Sequence, residues 1–222
     1  MPRHILALLI VLIAVLAPSG AGADQRFYYL NPNQLDLTIL LPPPPDAASA
    51  QERSDEQQVA AAVAARSQAQ LFEAQEESTR SVFFFAPSIG SGFEPARLPV
   101  TARFFSRVQS DISNLIHRAK AYWDRPRPNG VQKGRGSYPS GHAAFAASSA
   151  ILLSQLIPSK RDPIFVQARV FAENRILLGL HYPSDVASGW TAGTLAVYVM
   201  MRDREFQRDF AAAKAEIRRA NF

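Results

Sequence analysis

The sequence contains no cysteine. That removes disulfides, thiolate metal sites and a thiol nucleophile from consideration. It also removes the cysteine that a bacterial lipid-anchored precursor needs at its cut site. Histidine is scarce, with four in 222 residues. No segment reads as a confident strand, and there are no internal repeats. Beyond the N-terminus the longest apolar runs, 143–157 and about 189–201, fall short of the roughly 20 residues that span a bilayer. The protein carries a formal charge of +5, which suits anionic partners in general. The basic residues are scattered and show no nucleic-acid-binding signature, so nucleic acid is not an expected partner. A solvated basic surface accounts for the charge by itself.

What is present begins with "MPRHILALLIVLIAVLAPSGAGADQ". Arg3 precedes a charge-free apolar run from Ile5 to Ala17, and Ala21-Gly22-Ala23 has the small-x-small pattern of a cleavage site. This is the layout of a secretory signal peptide over 1–23, cut after Ala23, and it predicts a periplasmic or secreted protein. An uncleaved anchor is the alternative. Residues 24–46 form a Pro-rich N-terminal arm in which Pro42 to Pro45 must be extended. Residues 47–222 are expected to form one domain. Its hydrophobic periodicity predicts an all-α fold, a single-domain helical bundle with that extended arm.

Within the bundle, 47–79 is free of Gly and Pro and predicts one long helix or two. "VFFFAPSIGSGFEP" reads as a loop whose Phe83 to Phe85 either plug the core, the favoured reading, or rim a pocket. Pro99 opens a helix running to about Trp123. An apolar helix is expected from Ala143 to Ile157, and another from Ile164 to Leu178, stopped by Gly179. Pro183 starts the last core helix, to about Met201, before a charged amphipathic tail helix.

Three short segments concentrate unusual residues at helix ends. "KAYWDRPRP" supplies Lys120 and Arg127. Pro126 and Pro128 force Arg127 into an extended backbone, from which its guanidinium can fold back towards a ligand. "PSGH" places Ser140 as an N-cap, Gly141 where a ligand can approach the backbone, and His142 at the opening of a helix whose free N–H groups suit an anion. Taken alone, His142 reads as a structural core histidine or helix cap rather than a catalytic group. "NRILLGLHYPSD" supplies Arg175, His181 and Asp185. Pro183 at the first helical position puts Asp185 at the third, close to His181. A carboxylate there fixes the imidazole tautomer and frees the other nitrogen as base or nucleophile. Arg175 and Asp185 also have structural readings, as charges complementing helix dipoles. Together, three cations, two histidines, one carboxylate and a helix N-terminus describe a phosphoryl-transfer site.

The pattern Lys-x6-Arg-Pro, Pro-Ser-Gly-His, Arg-x5-His-x3-Asp resembles the signature of the type-2 phosphatidic acid phosphatase superfamily. With the signal peptide and the arm from Tyr28 to Pro45, the chain looks most like the bacterial class A non-specific acid phosphatases. The resemblance implies an enzyme that hydrolyses small-molecule phosphate monoesters. His181 would attack phosphorus and become a phosphohistidine, oriented by Asp185. His142 would protonate the leaving oxygen and then activate water. Lys120, Arg127, Arg175, Ser140 and the Gly141 N–H would hold the phosphate, with no metal or other cofactor. Two departures stand out. Asn174 occupies the place of the usual serine before Arg175, and the loop between Pro128 and Pro139 is short for the family. In relatives that loop roofs the site, so Lys133 and Arg135 are candidate substrate contacts, with a solvated loop the favoured reading. The alternatives are a lipid phosphate or polyprenyl pyrophosphate phosphatase, a vanadium-dependent haloperoxidase, and a non-catalytic helical export protein. The sequence leaves a homo-oligomer open.

Overall fold

The computed structural model describes residues 27–31, 33–130 and 136–222. In chain order the α-helices are α1 (Leu37–Leu40), α2 (Ala50–Ala65), α3 (Gln68–Glu76), α4 (Ala86–Ile89), α5 (Pro99–Trp123), α6 (Gly141–Leu156), α7 (Arg161–Leu177), α8 (Pro183–Met200) and α9 (Arg204–Arg219). Short 3₁₀ turns at Val82–Phe85 and Pro158–Lys160 lead into α4 and α7. No strand occurs among the described residues, so the fold is all-α, as expected. The expected signal peptide and the basic loop residues Lys133 and Arg135 lie outside the described residues.

Helix boundaries follow the local chemistry. Ser49 and Ser67 cap α2 and α3 by accepting from backbone N–H groups, and Ser67 forms a reciprocal capping box with Gln70. The 47–79 stretch is therefore two helices. Pro99 opens α5, whose free N–H groups at Val100 and Thr101 donate to the Glu216 carboxylate of α9 at 3.0 and 2.7 Å. The stretch 82–95 departs from the loop expectation, because Val82–Phe85 is a 3₁₀ turn that continues into α4. The tight turn drives Phe85 and Ile89 into the core, which local Pro and Gly signals do not reveal. Helix α7 starts three residues earlier than expected. Pro163 sits in its first turn, where the missing N–H costs no intrahelical bond.

The arm is tied to the bundle at one carboxylate. Asp111 of α5 accepts from the backbone N–H groups of Tyr28, Tyr29 and Leu30 at 2.7, 2.7 and 2.9 Å. Further along, the Tyr138 hydroxyl donates to the Pro42 carbonyl at the start of the proline run.

Helix α6 is apolar all round and lies at the centre, packed against α5, α7, α8 and α9. Its contact with α8 is backbone against backbone. A Cβ on Gly189 would lie 2.2 Å from the Ser140 carbonyl oxygen, and one on Gly193 2.2 Å from that of Ala144. Only glycine at both positions allows this approach. The contact brings the start of α6 beside the start of α8, and the Ser140 N–H donates to the Asp185 carbonyl at 2.9 Å.

This contact predicts the effect of adding one methyl group. Gly193→Ala raises intrinsic helix propensity by up to ~1 kcal/mol, yet should lower stability by about 2 kcal/mol net, because the facing atoms are backbone and cannot yield. Chemical denaturation measures this, and a stabilised Gly193→Ala protein would contradict the packing described.

Candidate active site

The three motif segments converge where α5 ends and where α6 and α8 begin. At the end of α7, Gly179 adopts a left-handed backbone (φ +67°). This lets the N–H groups of Leu180 and His181 both donate to the Arg175 carbonyl, at 3.0 and 3.2 Å. The turn thereby sets the spacing between Arg175 and His181. Pro183 then opens α8, and Asp185 stands at its third position, as its sequence spacing predicts.

His181 lies between two partners of fixed character. Its Nδ1 is 3.2 Å from Asp185 Oδ2, and its Nε2 is 3.3 Å from an Arg127 Nη1. A carboxylate only accepts and a guanidinium only donates. The proton therefore sits on Nδ1, and the Nε2 lone pair points to the cationic side. Asp185 also accepts from the Tyr182 N–H at 2.9 Å. Burial pushes Asp185 up, but the bond from His181 and the charges of His181 and Arg125 outweigh it and hold it below the usual carboxylate range. His181 is only 3% exposed. Burial lowers its pKa to about 4, against the raising bond to Asp185 and with the lowering charges of Lys120 and Arg127.

Backbone carbonyls hold each of the three predicted cations. Lys120 Nζ donates to Gly136 and Ser137 at 2.7 Å each. Arg127 donates to Leu180 at 2.8 Å and to Gly136 at 3.4 Å. Arg175, 1% exposed, donates to Ala74, and burial lowers its pKa to about 10 against the raising charge of Glu77. These carbonyls relieve the mutual repulsion of the cluster. Among the described residues the Nε of Arg175 has no hydrogen-bond partner, so one buried donor is unspent.

The Ser140 side chain caps α6 by accepting from the Ala143 N–H, and Gly141 is its first residue. His142 follows, stacked on Phe171 with ring centroids 5.8 Å apart. Its Nε2 is 3.1 Å from the Ser78 carbonyl, to which it donates. Burial, then the charges of Arg175 and Arg80, push His142 down to about 2. The charge of His181 lowers it further.

Sequence reasoning missed three contributors. Arg125 donates to Asp185 Oδ1 at 2.6 Å, on the carboxylate oxygen that His181 does not use. It lies within the first motif, two residues before Arg127, and that proximity was the available signal. Arg80 reaches the N-terminus of α6, where a Cβ on Gly141 would sit 3.1 Å from its Nη1. The end of α3 and the residues just after it meet the site three times: Ala74 at Arg175, Glu77 accepting from Asn174 at 2.8 Å, and Ser78 at His142. Asn174 thus anchors this segment, which gives the departure from serine a structural role.

Residues 108–209, which contain all three segments, match the family described as the PAP2 superfamily. The chain is 31% identical over 150 residues to an acid phosphatase of Zymomonas mobilis, covering 61% of this chain and 56% of the relative. It is 27% identical over 166 residues to a non-specific acid phosphatase of Providencia stuartii, covering 65% of this chain and 67% of the relative. A non-specific acid phosphatase of Salmonella typhi is 27% identical over 152 residues, 62% of this chain and 60% of that one. The match thus spans little more than half of the Zymomonas protein's length. Among solved structures, a transmembrane PAP2-type phosphatidylglycerolphosphate phosphatase from Bacillus subtilis superposes with a TM-score of 0.51 at 19% identity, over 74% of this chain and 88% of that one. That likeness is one of fold. Among the described residues no helix is long and apolar enough to cross a membrane.

The depressed histidine pKa values have a sign in stability. Both fall below the unfolded value of about 6.5, so the unfolded chain binds more protons in the window between. The stability they hold is complete above about pH 6.5 and is lost as pH falls, towards about 4 for His181 and about 2 for His142. Melting temperature should therefore drop from pH 7 to 4, less steeply in His181→Asn. Sulfate, a dianion that does not titrate here, offsets Arg175 and Arg80, so its stabilising effect should grow as pH falls. A sulfate effect independent of pH would contradict the coupling between the cations and His142.

Proposed function

We propose that this protein is an exported acid phosphatase that hydrolyses phosphate monoesters through a phosphohistidine at His181. The observation that carries the reading is the fixed tautomer of His181, with the Nε2 lone pair beside Lys120 and Arg127 and the proton held by Asp185. The names of the acid phosphatase relatives support the activity. The "MPRHILALL…AGA" leader supports export, with cleavage after Ala23.

In this mechanism Arg127 exchanges its contact with His181 for a phosphate oxygen. Lys120, Arg175 with its unspent Nε, and the N-terminus of α6 take the others. Their positive charge neutralises the phosphoryl oxygens without a metal. The Nε2 lone pair of His181 forms the N–P bond as the P–O bond to the leaving group breaks. His142 gives its proton to that oxygen. It then takes a proton from water, whose oxygen forms a new P–O bond as the N–P bond breaks, releasing inorganic phosphate and restoring both histidines.

The pKa values assign the pH behaviour. His181 must be neutral to attack, so kcat/KM should fall below about pH 4. His142 must be protonated to act as acid. Its low pKa in the free site means that the substrate dianion, set against Arg175 and Arg80, must raise it. The proton on His142 thus arrives with the phosphate, which favours an acidic optimum.

Hydrolysis of p-nitrophenyl phosphate from pH 4 to 8 with chelator present tests the reading. His181→Ala should lose at least ~1000-fold in kcat. His142→Ala should lose ~100-fold or more on an alkyl phosphate, whose leaving oxygen needs the proton, and less on p-nitrophenyl phosphate. Activity abolished by the chelator, or retained in His181→Ala, would contradict the mechanism.

A further inference from the structure

Helix α2 carries two carboxylates that the phosphatase mechanism does not use. Asp55 is fully buried, and Glu52 stands one turn before it. Both accept from Arg125 Nη2, Asp55 at 3.0 Å. The other end of the same guanidinium, Nη1, donates to Asp185 Oδ1 at 2.6 Å and to the Ser184 hydroxyl at 2.8 Å. The Ser184 hydroxyl in turn donates to Asp55, and the Arg125 guanidinium lies 4.0 Å from the centre of the Tyr182 ring. Arg125 is therefore clamped between α2 and the first turn of α8, with one end on the acids of α2 and the other on the acid that orients His181.

The carboxylate of Asp185 is divided between two claims. Oδ1 answers Arg125, while Oδ2 answers His181 and the Tyr182 N–H. The more of the Arg125 charge that α2 absorbs, the more of the Asp185 charge remains for His181. We propose that Asp55 and Glu52 are positioning residues for the nucleophile, acting through Arg125 to set how strongly Asp185 holds and charges His181. The inference rests on the phosphatase reading for its kinetic consequence, though not for its electrostatic one.

The charges around the relay set the sign of its effect. Facing His181 are Asp185 from α8 and the cations Lys120 and Arg127; His142 of α6 couples to it as well. Facing Arg125 are Glu52, Asp55 and Asp185, and Glu56 of α2 acts on the adjoining Tyr182. Removing a carboxylate from α2 leaves Arg125 less neutralised. It then draws on Asp185, and His181 becomes harder to protonate. Removing Arg125 does the opposite.

The test is an NMR titration of the His181 ring in the full chain, which needs no catalytic activity. Glu52→Gln and Asp55→Asn should lower the His181 pKa, and Arg125→Gln should raise it, each by about half a unit or more. Glu52 is the gentler site, since its side chain is 16% exposed and the variant need not disturb the core. In the same variants kcat should fall by ~10–100-fold through misplacement of the nucleophile, with KM little changed. Folded variants whose His181 titration does not move, or moves in the same direction for Glu52→Gln and Arg125→Gln, overturn the relay. An inactive wild type in which the opposite shifts still appear would overturn the phosphatase reading while upholding the electrostatic relay.

Discussion

The site depends on two helices lying closer together than side chains normally allow. Gly189 and Gly193, one turn apart on α8, face the Ser140 and Ala144 carbonyls of α6 with no room for a methyl group. Because the backbones touch, the N-terminus of α6 and the first turn of α8 share a wall, joined by the hydrogen bond from Ser140 N–H to the Asp185 carbonyl. His142 belongs to one helix start, and Asp185 with its partner His181 to the other. Spreading the two helices by the width of a side chain would separate the proposed acid from the proposed nucleophile. Here a packing constraint in the core is also the geometric condition for the proposed chemistry at the helix ends.

The two histidines are set apart by their surroundings. His181 keeps a carboxylate on one nitrogen, which partly offsets the cost of charging it in a buried place, and its pKa falls only to about 4. His142 has no carboxylate partner in its described contacts and faces Arg175 and Arg80, and its pKa falls to about 2. An arriving phosphate dianion changes the second environment more than the first, because His142 then gains the counter-charge that His181 already has. In the proposed mechanism the same ring type thus serves as a neutral nucleophile in one position and a substrate-induced acid in the other.

Much of this was legible in the sequence because it is local. Ser140 as a cap, Pro183 opening a helix, Asp185 at its third position and Gly179 ending α7 are each readable within a few residues. The three motif segments could be joined because together they resemble a known signature. The contributions that escaped notice depend on distant contacts. Gly189 and Gly193 stand four apart in "SGWTAG", but their meaning depends on which helix lies opposite. Arg125 sits just before Pro126 in the first motif and gains its role from distant partners, among them Asp185, 60 residues away. Asp55 looks like any polar residue in a Gln- and Glu-rich helix, yet it is fully buried. The segment from Ala74 to Ser78 acts largely through backbone carbonyls, which carry no sequence signal at all.

The central claim is that His181, and not His142, makes the bond to phosphorus. The most direct measurement is to quench the enzyme during turnover of a labelled phosphate ester under conditions that preserve phosphoramidates, digest it, and locate the label by mass spectrometry. The account predicts label on the peptide containing His181, accumulating further in His142→Ala, where water is poorly activated. Label on His142, or turnover with no labelled histidine in either protein, would contradict it.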